Sequence, residues 1–291
     1  MGTWNVRTLY ETAAAKSLVE EITKCGIQIL AIQETRWKGN STMRIRDYDF
    51  VHSGDQKHFL GVGFVVHKDL RDNIMEFRPI SDRVCTIRIK TKFFNLSLIN
   101  VHAETEEKRD STKDSFYSIL ERVYDTTPSN DIKMMLGDLN AKIGRETIYR
   151  PIIGKESLHA GSNNNGLRVI DFATSRNMVV SSTYFPRKNI HKGTWNSPDG
   201  STCNQIDHVL IEKRGASSVL QVRTHRKANV ESDHFLVGVK FRCRMSSRQT
   251  KAHTRCQKFN VDRLKEEGTN GIYQSKLEER LGERLTGAMQ D

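Results

Sequence analysis

Four short polar tracts, each beside an apolar run, contain the residues best suited to catalysis in this chain. The tracts cover residues 3–5, 33–35, 137–140 and 232–234. The neighbouring runs are typical of β-strands, so each tract lies at the end of a predicted strand. Loops at strand ends commonly carry the functional residues of sheet proteins. The four tracts therefore predict one site at which they converge.

The side chains in these tracts suit the metal-assisted hydrolysis of a phosphodiester. That reaction needs a metal ion to neutralise phosphate charge, a group that activates water and a donor that stabilises the transition state. Mg²⁺ prefers oxygen ligands and needs only one or two carboxylates, so Glu34 is the first candidate ligand. Asp138 and Asn140 flank Leu139, and in an extended segment both point to one side. Asp138 would accept a proton from water, and Asn140 would donate to a phosphate oxygen.

An aspartate and a histidine from separate tracts could form a pair in which the carboxylate orients the imidazole and favours its charge. A carboxylate that accepts a hydrogen bond from an imidazole orients the ring and raises its pKa. Asp207 and His234 are candidates for such a pair. Taken singly, these residues have simpler interpretations, with Asn5 and Asn140 as turn residues and Asp233 as a helix cap. The number of such residues together favours a functional site.

The composition restricts the partners of this site. The chain has 291 residues, 36% of them hydrophobic, and a formal net charge of +11. This charge favours a polyanionic partner, either nucleic acid or an anionic membrane surface, and does not choose between them. No run approaches the roughly 18 apolar residues that cross a bilayer, so we expect no membrane span. The five cysteines are scattered and odd in number, which favours free thiols in a reducing, intracellular compartment.

Hydrophobic periodicity predicts how the chain positions the tracts. Helices are predicted over residues 11–25, 114–124 and 166–177. Strands rich in β-branched and aromatic residues are predicted over residues 27–32, 61–67, 84–90, 94–101, 132–136, 178–183, 206–211, 219–224 and 235–241. Two stacked sheets flanked by helices would satisfy this mixed α/β pattern.

The composition changes after residue 241, which we take as the end of the catalytic domain. Residues 242–255 are basic and polar, as in a linker. Residues 262–285 carry scattered leucines among many charges and predict one or two marginal helices. The chain is therefore divided into a domain over residues 1–241 and a tail over residues 242–291.

Six tracts in this order resemble the endonuclease/exonuclease/phosphatase superfamily. They cover residues 3–6, 32–35, 100–103, 137–140, 204–207 and 232–234. Within that superfamily the chain is most similar to the endonuclease domains of non-long-terminal-repeat retrotransposons and to sequences of the craniofacial development protein 2 type. The resemblance implies an α/β fold of the deoxyribonuclease I kind, a four-layer sandwich of two mixed β-sheets flanked by helices.

The resemblance also implies roles for single residues at a metal centre. Glu34 would bind Mg²⁺, for which Mn²⁺ can substitute, with Asn5 supporting the site and Asp233 contributing from the opposite side. Asp138 would activate water or orient the transition state, with Asn140 as its partner.

Further residues are implied to contact the substrate. His234, oriented by Asp207, would contact the phosphate, and His102 stands where many members of the superfamily carry a phosphate-contacting tyrosine. The tracts that contain Asn163, Asn165 and Trp195 resemble loops that meet DNA.

The expected function is a Mg²⁺-dependent endonuclease that acts on double-stranded DNA in the nucleus. It would nick one strand and leave a 3′-hydroxyl and a 5′-phosphate. Two alternatives stay open at this point. One is a phosphomonoesterase that acts on an inositol or nucleotide phosphate, and the other is a retrotransposon-derived fragment that binds nucleic acid without cutting it.

Overall fold

A computed structural model of the chain describes residues 1–56, 58–246, 265 and 267–287. The chain divides into two compact units, Met1–Ser247 and Arg248–Asp291. The first unit contains every predicted site residue. None of the helices within these described residues is long and apolar enough to cross a membrane.

Over its described residues the first unit contains three α-helices, several short 3-10 helices and fifteen strands. The α-helices are α1 (Thr12–Lys24), α2 (Asp110–Thr126) and α3 (Asn164–Ser175). The strands are β1 (Gly2–Asn5), β2 (Ile29–Gln33), β3 (Asn40–Ile45), β4 (Tyr48–Ser53), β5 (Val62–His67), β6 (Ile74–Pro79), β7 (Val84–Ile89), β8 (Leu96–His102), β9 (Ile132–Asp138), β10 (Met178–Val180), β11 (Trp195–Asn196), β12 (Cys203–Asn204), β13 (Asp207–Glu212), β14 (Val219–His225) and β15 (Leu236–Phe241).

Two mixed sheets form the centre of this unit. The seven-stranded sheet has the order β14-β15-β1-β2-β5-β4-β3, and the six-stranded sheet has the order β10-β13-β9-β8-β7-β6. Each sheet contains one parallel pair, β1 with β2 and β8 with β9, among antiparallel neighbours. The short strands β11 and β12 form a separate hairpin.

Alternation of side chains along the strands explains why the sheets stack. On β8, Leu98 belongs to the core between the two sheets, whereas Ile99 faces the opposite side of its sheet. On β9, Met134 and Met135 divide in the same way. Because successive side chains of a strand point to opposite faces, a continuous apolar run buries both faces of the sheet.

Helices cover the outer face of each sheet. The residues Leu18, Val19 and Ile22 of α1 pack against the seven-stranded sheet, and burying a leucine or isoleucine side chain contributes about 2 kcal/mol. Phe116 of α2 and Phe172 of α3 pack against the six-stranded sheet. The layers are therefore helix, sheet, sheet and helix, which confirms the predicted four-layer α/β sandwich.

The predicted elements differ from the observed ones at two edge strands and at one interior strand. The sequence did not predict β3, β4 or β6. The edge strands β3 and β6 are largely exposed and lack a strong apolar pattern. Strand β4 is buried between β3 and β5, but polar residues such as Asp49 and His52 interrupt its apolar pattern. The predicted domain boundary after residue 241 falls inside the first unit, because Met245 pairs with Thr91 and Asn73 donates a hydrogen bond to the carbonyl of Ser246.

The second unit contains one described helix, α4 (Glu267–Gly287). Its side chains Ile272, Leu277 and Leu281 are exposed. A single helix thus lies where the sequence predicted one or two. The predicted basic linker falls mostly outside the described residues.

Candidate active site

One edge of the sandwich collects the ends of the central strands. The parallel strands β1 and β2 end there at Asn5 and next to Glu34, and the parallel strands β8 and β9 end at His102 and Asp138. Strand β13 runs antiparallel to β9, so its first residue, Asp207, lies opposite Asp138. His234 precedes β15 and lies at the same edge because β15 is antiparallel to β1.

A glycine allows Asp138 to reach this edge. Gly137 has a φ of 152°, and a Cβ atom on it would lie 1.9 Å from the carbonyl oxygen of Val101. Any other residue would collide with the neighbouring strand β8. The close approach of the two strands brings His102 and Asp138 side by side in register.

The amide of Asn5 joins the predicted metal ligand, Glu34, to the predicted water-activating carboxylate, Asp138. Its Nδ2 donates to Glu34 Oε1 at 2.9 Å and to Asp138 Oδ2 at 3.0 Å. Its Oδ1 accepts a hydrogen bond from the backbone N–H of Arg7 at 3.0 Å, which fixes the orientation of the amide. In this arrangement Asn5 orients the carboxylates and presents its donor side to them.

Glu34 is the most accessible acid of the cluster. Its side chain is 22% exposed, and its second oxygen, Oε2, lies 3.2 Å from Arg36 Nη2. Its φ of 56° lies in the left-handed region, which costs a non-glycine residue about 1 kcal/mol. A residue held in this conformation at an accessible carboxylate is consistent with a functional requirement.

Two histidines flank the buried carboxylate of Asp138. His102 Nε2 lies 3.7 Å from Asp138 Oδ2 and 3.9 Å from Glu34 Oε1. His234 Nε2 lies 3.7 Å from the same Asp138 oxygen. Burial raises the pKa of Asp138, and the nearby charge of Asp207 raises this pKa further. Burial lowers the pKa of His102 and keeps its imidazole neutral.

His234 carries a positive charge that depends on a second aspartate. Its Nδ1 donates to Asp207 Oδ2 at 3.0 Å, and both side chains are buried. Burial by itself disfavours the charged imidazole, but the carboxylates of Asp207 and Asp138 outweigh it and raise the pKa of His234 to about 10. The structure thus contains the aspartate–histidine contact that the sequence suggested.

The oxygen donors of the cluster fit a divalent cation. Ligand atoms of Asp138, Asp207 and His234 lie within 4.8 Å of one another. Because the protonated ring of His234 has no free nitrogen for a metal, the two carboxylates are the available donors. Asp207 Oδ1 is buried without a hydrogen-bond partner, a costly state that a cation or a bound water would relieve. With Glu34 beside them, the carboxylates supply the hard oxygen ligands that Mg²⁺ prefers.

Asn140 lies next to the cluster, and its side-chain amide is already hydrogen-bonded. Its backbone N–H donates to Asp138 Oδ1 at 3.0 Å, and its Nδ2 donates to the carbonyl of Ala103 at 3.0 Å. The backbone of Asn140 thus orients Asp138, and its amide connects the loops that follow β8 and β9. Its contact with a phosphate stays a prediction.

Asp233 and Trp195 contact each other. The indole Nε1 of Trp195 donates to Asp233 Oδ2 at 2.8 Å, and both residues are half-buried. The hairpin that carries Trp195 is also paired to His234. In the described structure the carboxylate of Asp233 is therefore engaged with the hairpin, so its role as a metal ligand and the DNA contact of Trp195 stay predictions.

The two asparagines expected to meet DNA brace the loops behind the site. Asn163 caps α3, because its Oδ1 accepts from the backbone N–H of Gly166 at 2.8 Å. Asn165 is only 2% exposed, and its Nδ2 donates to the carbonyls of Asn140 and Glu104, each at 2.9 Å. With so little exposed surface, Asn165 offers DNA almost nothing to contact in this conformation.

Two supporting residues were not found from the sequence. Glu106 accepts hydrogen bonds from Asn163 Nδ2 at 2.8 Å and from the backbone of Asn165 at 3.1 Å. Trp4 Nε1 donates to the carbonyl of His234 at 2.9 Å. Glu106 lies in a run of charged residues with no distinguishing pattern, so only tertiary contacts reveal its role. Trp4 lies within a tract that was identified, but its indole contact has no sequence signal.

The fold and the cluster define a class of phosphoester hydrolase with acidic, amide and imidazole groups at one edge of a two-sheet sandwich. The chain belongs to the endonuclease/exonuclease/phosphatase family, whose model matches residues 2–234. It is 32% identical over 246 residues to craniofacial development protein 2 from Bos taurus and, equally, to that from Tragulus javanicus. These matches cover 84% of the chain but only 41% and 42% of the relatives, so the chain spans about two fifths of their length.

Solved structures with the same fold include nucleases from several sources. The endonuclease domain of TRAS1, a telomere-specific non-LTR retrotransposon, superposes with a TM-score of 0.57 at 14% identity and covers 83% of this chain and 96% of that domain. The catalytic domain of APE2 from Xenopus laevis gives a TM-score of 0.63 at 17% identity and covers 85% and 93%. These likenesses confirm the fold expected from the sequence.

Proposed function

We propose that this chain is a divalent-metal-dependent DNA endonuclease, derived from a retrotransposon, that nicks one strand of a duplex. The observation that carries the proposal is the position of the Asp207–His234 pair, whose imidazole lies 3.7 Å from Asp138 in the cluster that contains Asn5 and Glu34. The net charge of +11 supports a polyanionic substrate. The likeness to retrotransposon and apurinic endonucleases supports DNA as that substrate.

Each group at the cluster has a chemical task in this mechanism. A divalent ion, Mg²⁺ or Mn²⁺, neutralises phosphate charge when bound, with Glu34 and Asp138 as the residues that would hold it. The cationic His234 donates to a phosphate oxygen and stabilises the charge that develops in the transition state. The neutral His102 is able to accept a proton at its free nitrogen, and Asp138 orients the attacking water.

Nicking of supercoiled plasmid tests the proposal. The wild-type chain should convert supercoiled to open-circular DNA only when Mg²⁺ or Mn²⁺ is present. DNA ligase should reseal the nick directly, since it requires a 3′-hydroxyl and a 5′-phosphate. Glu34→Gln and His234→Ala should abolish nicking while circular dichroism shows an intact fold.

Controls separate the effect of the site from a general loss of charge. Glu11→Gln removes an exposed carboxylate outside the cluster and should nick as the wild type does. Glu34→Gln should also weaken binding of Mn²⁺, measured by electron paramagnetic resonance, whereas His234→Ala should weaken it less. Undiminished nicking by either site variant would contradict the proposal.

A second candidate function is the removal of a terminal phosphate. A 3′ phosphatase from Neisseria, solved with product DNA hairpin, has the same fold with a TM-score of 0.60 at 17% identity. Phosphate release from a 3′-phosphorylated oligonucleotide without plasmid nicking would favour this function. Metal-independent DNA binding with neither reaction would favour a non-catalytic nucleic-acid-binding protein.

A further inference from the structure

A loop beside the active site carries cations that no part of the catalytic cluster uses. Arg187 and Lys188 are exposed on the segment between β10 and β11, and Lys227 is exposed after β14. Among the residues that the structure describes, none of these three side chains has an ion-pair or hydrogen-bond partner. We call these three residues the cationic surface.

The backbone of this loop is fixed to the body of the protein. Arg226 Nε donates to the carbonyl of Ile190 at 2.6 Å, and its guanidinium lies 4.0 Å from the centre of the Phe235 ring. Lys192 Nζ lies 3.2 Å from Glu156 Oε2. The neighbouring cations Arg226 and Lys192 make these structural contacts. The backbone that carries the cationic surface is therefore fixed in place.

The same loop continues to Thr194, which forms hydrogen bonds with the backbone at and next to two predicted catalytic residues. Thr194 Oγ1 accepts a hydrogen bond from the backbone N–H of Asp207 at 3.1 Å, and the Thr194 carbonyl accepts from Phe235, the residue after His234, at 2.7 Å. Lys188 and Thr194 are six positions apart in the sequence, so an extended chain limits their separation to about 22 Å. That distance is less than one turn of B-DNA, which is about 34 Å.

We propose that the cationic surface binds the phosphate backbone of duplex DNA on the hairpin side of the active site, within one helical turn of the scissile phosphate. This inference rests on the proposed nuclease function for its ligand. Exposed, unpaired arginine and lysine side chains bind phosphates mainly by releasing condensed counterions, so their contribution weakens as salt rises. The contacts would fix the register of the duplex and carry no base specificity.

Equilibrium binding of a labelled duplex, two helical turns long and measured without divalent metal, tests this surface. The double variant Arg187→Ala/Lys188→Ala should lower the slope of log K against log salt by about 1.8, since each lost phosphate contact removes about 0.9. Its affinity should fall about tenfold at moderate salt. Lys227→Ala should lower the slope by about 0.9.

A matched variant removes two cations from the outer helices. Lys16 on α1 and Arg122 on α2 are exposed, and Lys16→Ala/Arg122→Ala removes the same net charge. Its slope should stay at the wild-type value. An unchanged slope in Arg187→Ala/Lys188→Ala, or an equal decrease in the control, would overturn the inference.

The binding test and the nicking test fail independently. Because binding is measured without metal, it does not depend on whether the wild-type chain cleaves DNA. A chain that nicks plasmid but keeps its salt slope in the Arg187→Ala/Lys188→Ala variant would refute the cationic surface alone. A chain that loses the slope as expected but never nicks would refute the proposed nuclease function alone.

Discussion

Two buried histidines, His208 on strand β13 and His234 just before strand β15, differ in the groups that surround them. His208 is buried among the six-stranded sheet and its covering loops, where its Nδ1 lies 2.8 Å from Ser182 Oγ and its Nε2 lies 2.8 Å from the carbonyl of Ala141. His234 is buried at the catalytic edge, with Asp207 on one nitrogen and Asp138 near the other. Both are buried, but their partners differ.

The partners decide the charge. Burial lowers the pKa of His208 to about 4, and a neutral imidazole matches its surroundings, with one donor facing a carbonyl and one acceptor facing a hydroxyl. At His234, burial opposes the charge but two carboxylates outweigh it and raise the pKa to about 10. The comparison teaches that a buried histidine is neutral or cationic depending on whether carboxylates are adjacent.

The largest expected effect comes from removing the carboxylate that distinguishes the two sites. Asp207→Asn should lower the rate of plasmid nicking by about 10²- to 10⁴-fold, the range seen when a proton-transferring or orienting group is lost. The substitution keeps the size of the side chain and removes its charge. Nicking within threefold of wild type, measured under the same conditions with an intact fold, would show that the charge of His234 is dispensable.

The two histidines should also titrate at opposite ends of the pH range. In NMR spectra of the folded protein, the ring of His234 should stay protonated until the pH nears 10, whereas the ring of His208 should stay neutral down to about pH 4. Folding raises the pKa of His234 above its usual 6.5, so its charge stabilises the fold fully below pH 6.5. That contribution to the free energy of unfolding should disappear as the pH rises through about 10.

The variant Asp207→Asn tests whether Asp207 causes this pH dependence of the unfolding free energy. In that variant the pKa of His234 should fall. The free energy of unfolding of the wild type should decrease between pH 6.5 and about 10, and that of the variant should not. Denaturant unfolding at both ends of this range measures the difference. Equal pH dependence in the two proteins would mean that Asp207 does not hold the charge.

The smallest effect is expected at the structural histidine. Ser182→Ala removes the hydroxyl next to His208 and should cost about 1 kcal/mol of unfolding free energy, the usual net value of one hydrogen bond. Nicking should persist, because this contact lies outside the catalytic cluster. A loss of nicking comparable to that of Asp207→Asn, in a protein that still folds, would erase the distinction between the two histidines.

The central part of the fold could be predicted because its signals are local. The runs that became β8 and β9 are mainly apolar, with apolar residues at consecutive positions such as 98–99 and 134–136, as expected for strands buried on both faces. The α1 helix shows apolar residues at helical spacing, and Gly26, with a φ of 65°, follows its end. The edge strand β3 was missed because an exposed edge needs no apolar alternation.

The residues of the candidate site could be predicted from the sequence better than the contacts between them. Residue types at strand ends indicated Asn5, Glu34 and Asp138, and the structure joins these three through the amide of Asn5. Sequence could not show that Asn165 is buried between two loops or that Trp195 donates to Asp233. Such contacts depend on distances between segments far apart in the chain, which no local pattern encodes.

The sequence by itself determined the α/β sandwich and the chemical types of the groups at its edge, because strand periodicity and side-chain chemistry are properties of short segments. Only the tertiary structure decided which groups are charged. A pKa depends on burial and on the distance to other charges, and both arise when segments such as those of Asp207 and His234 are brought to 3.0 Å. The same reason explains why His234 is cationic and His208 is neutral although both are buried.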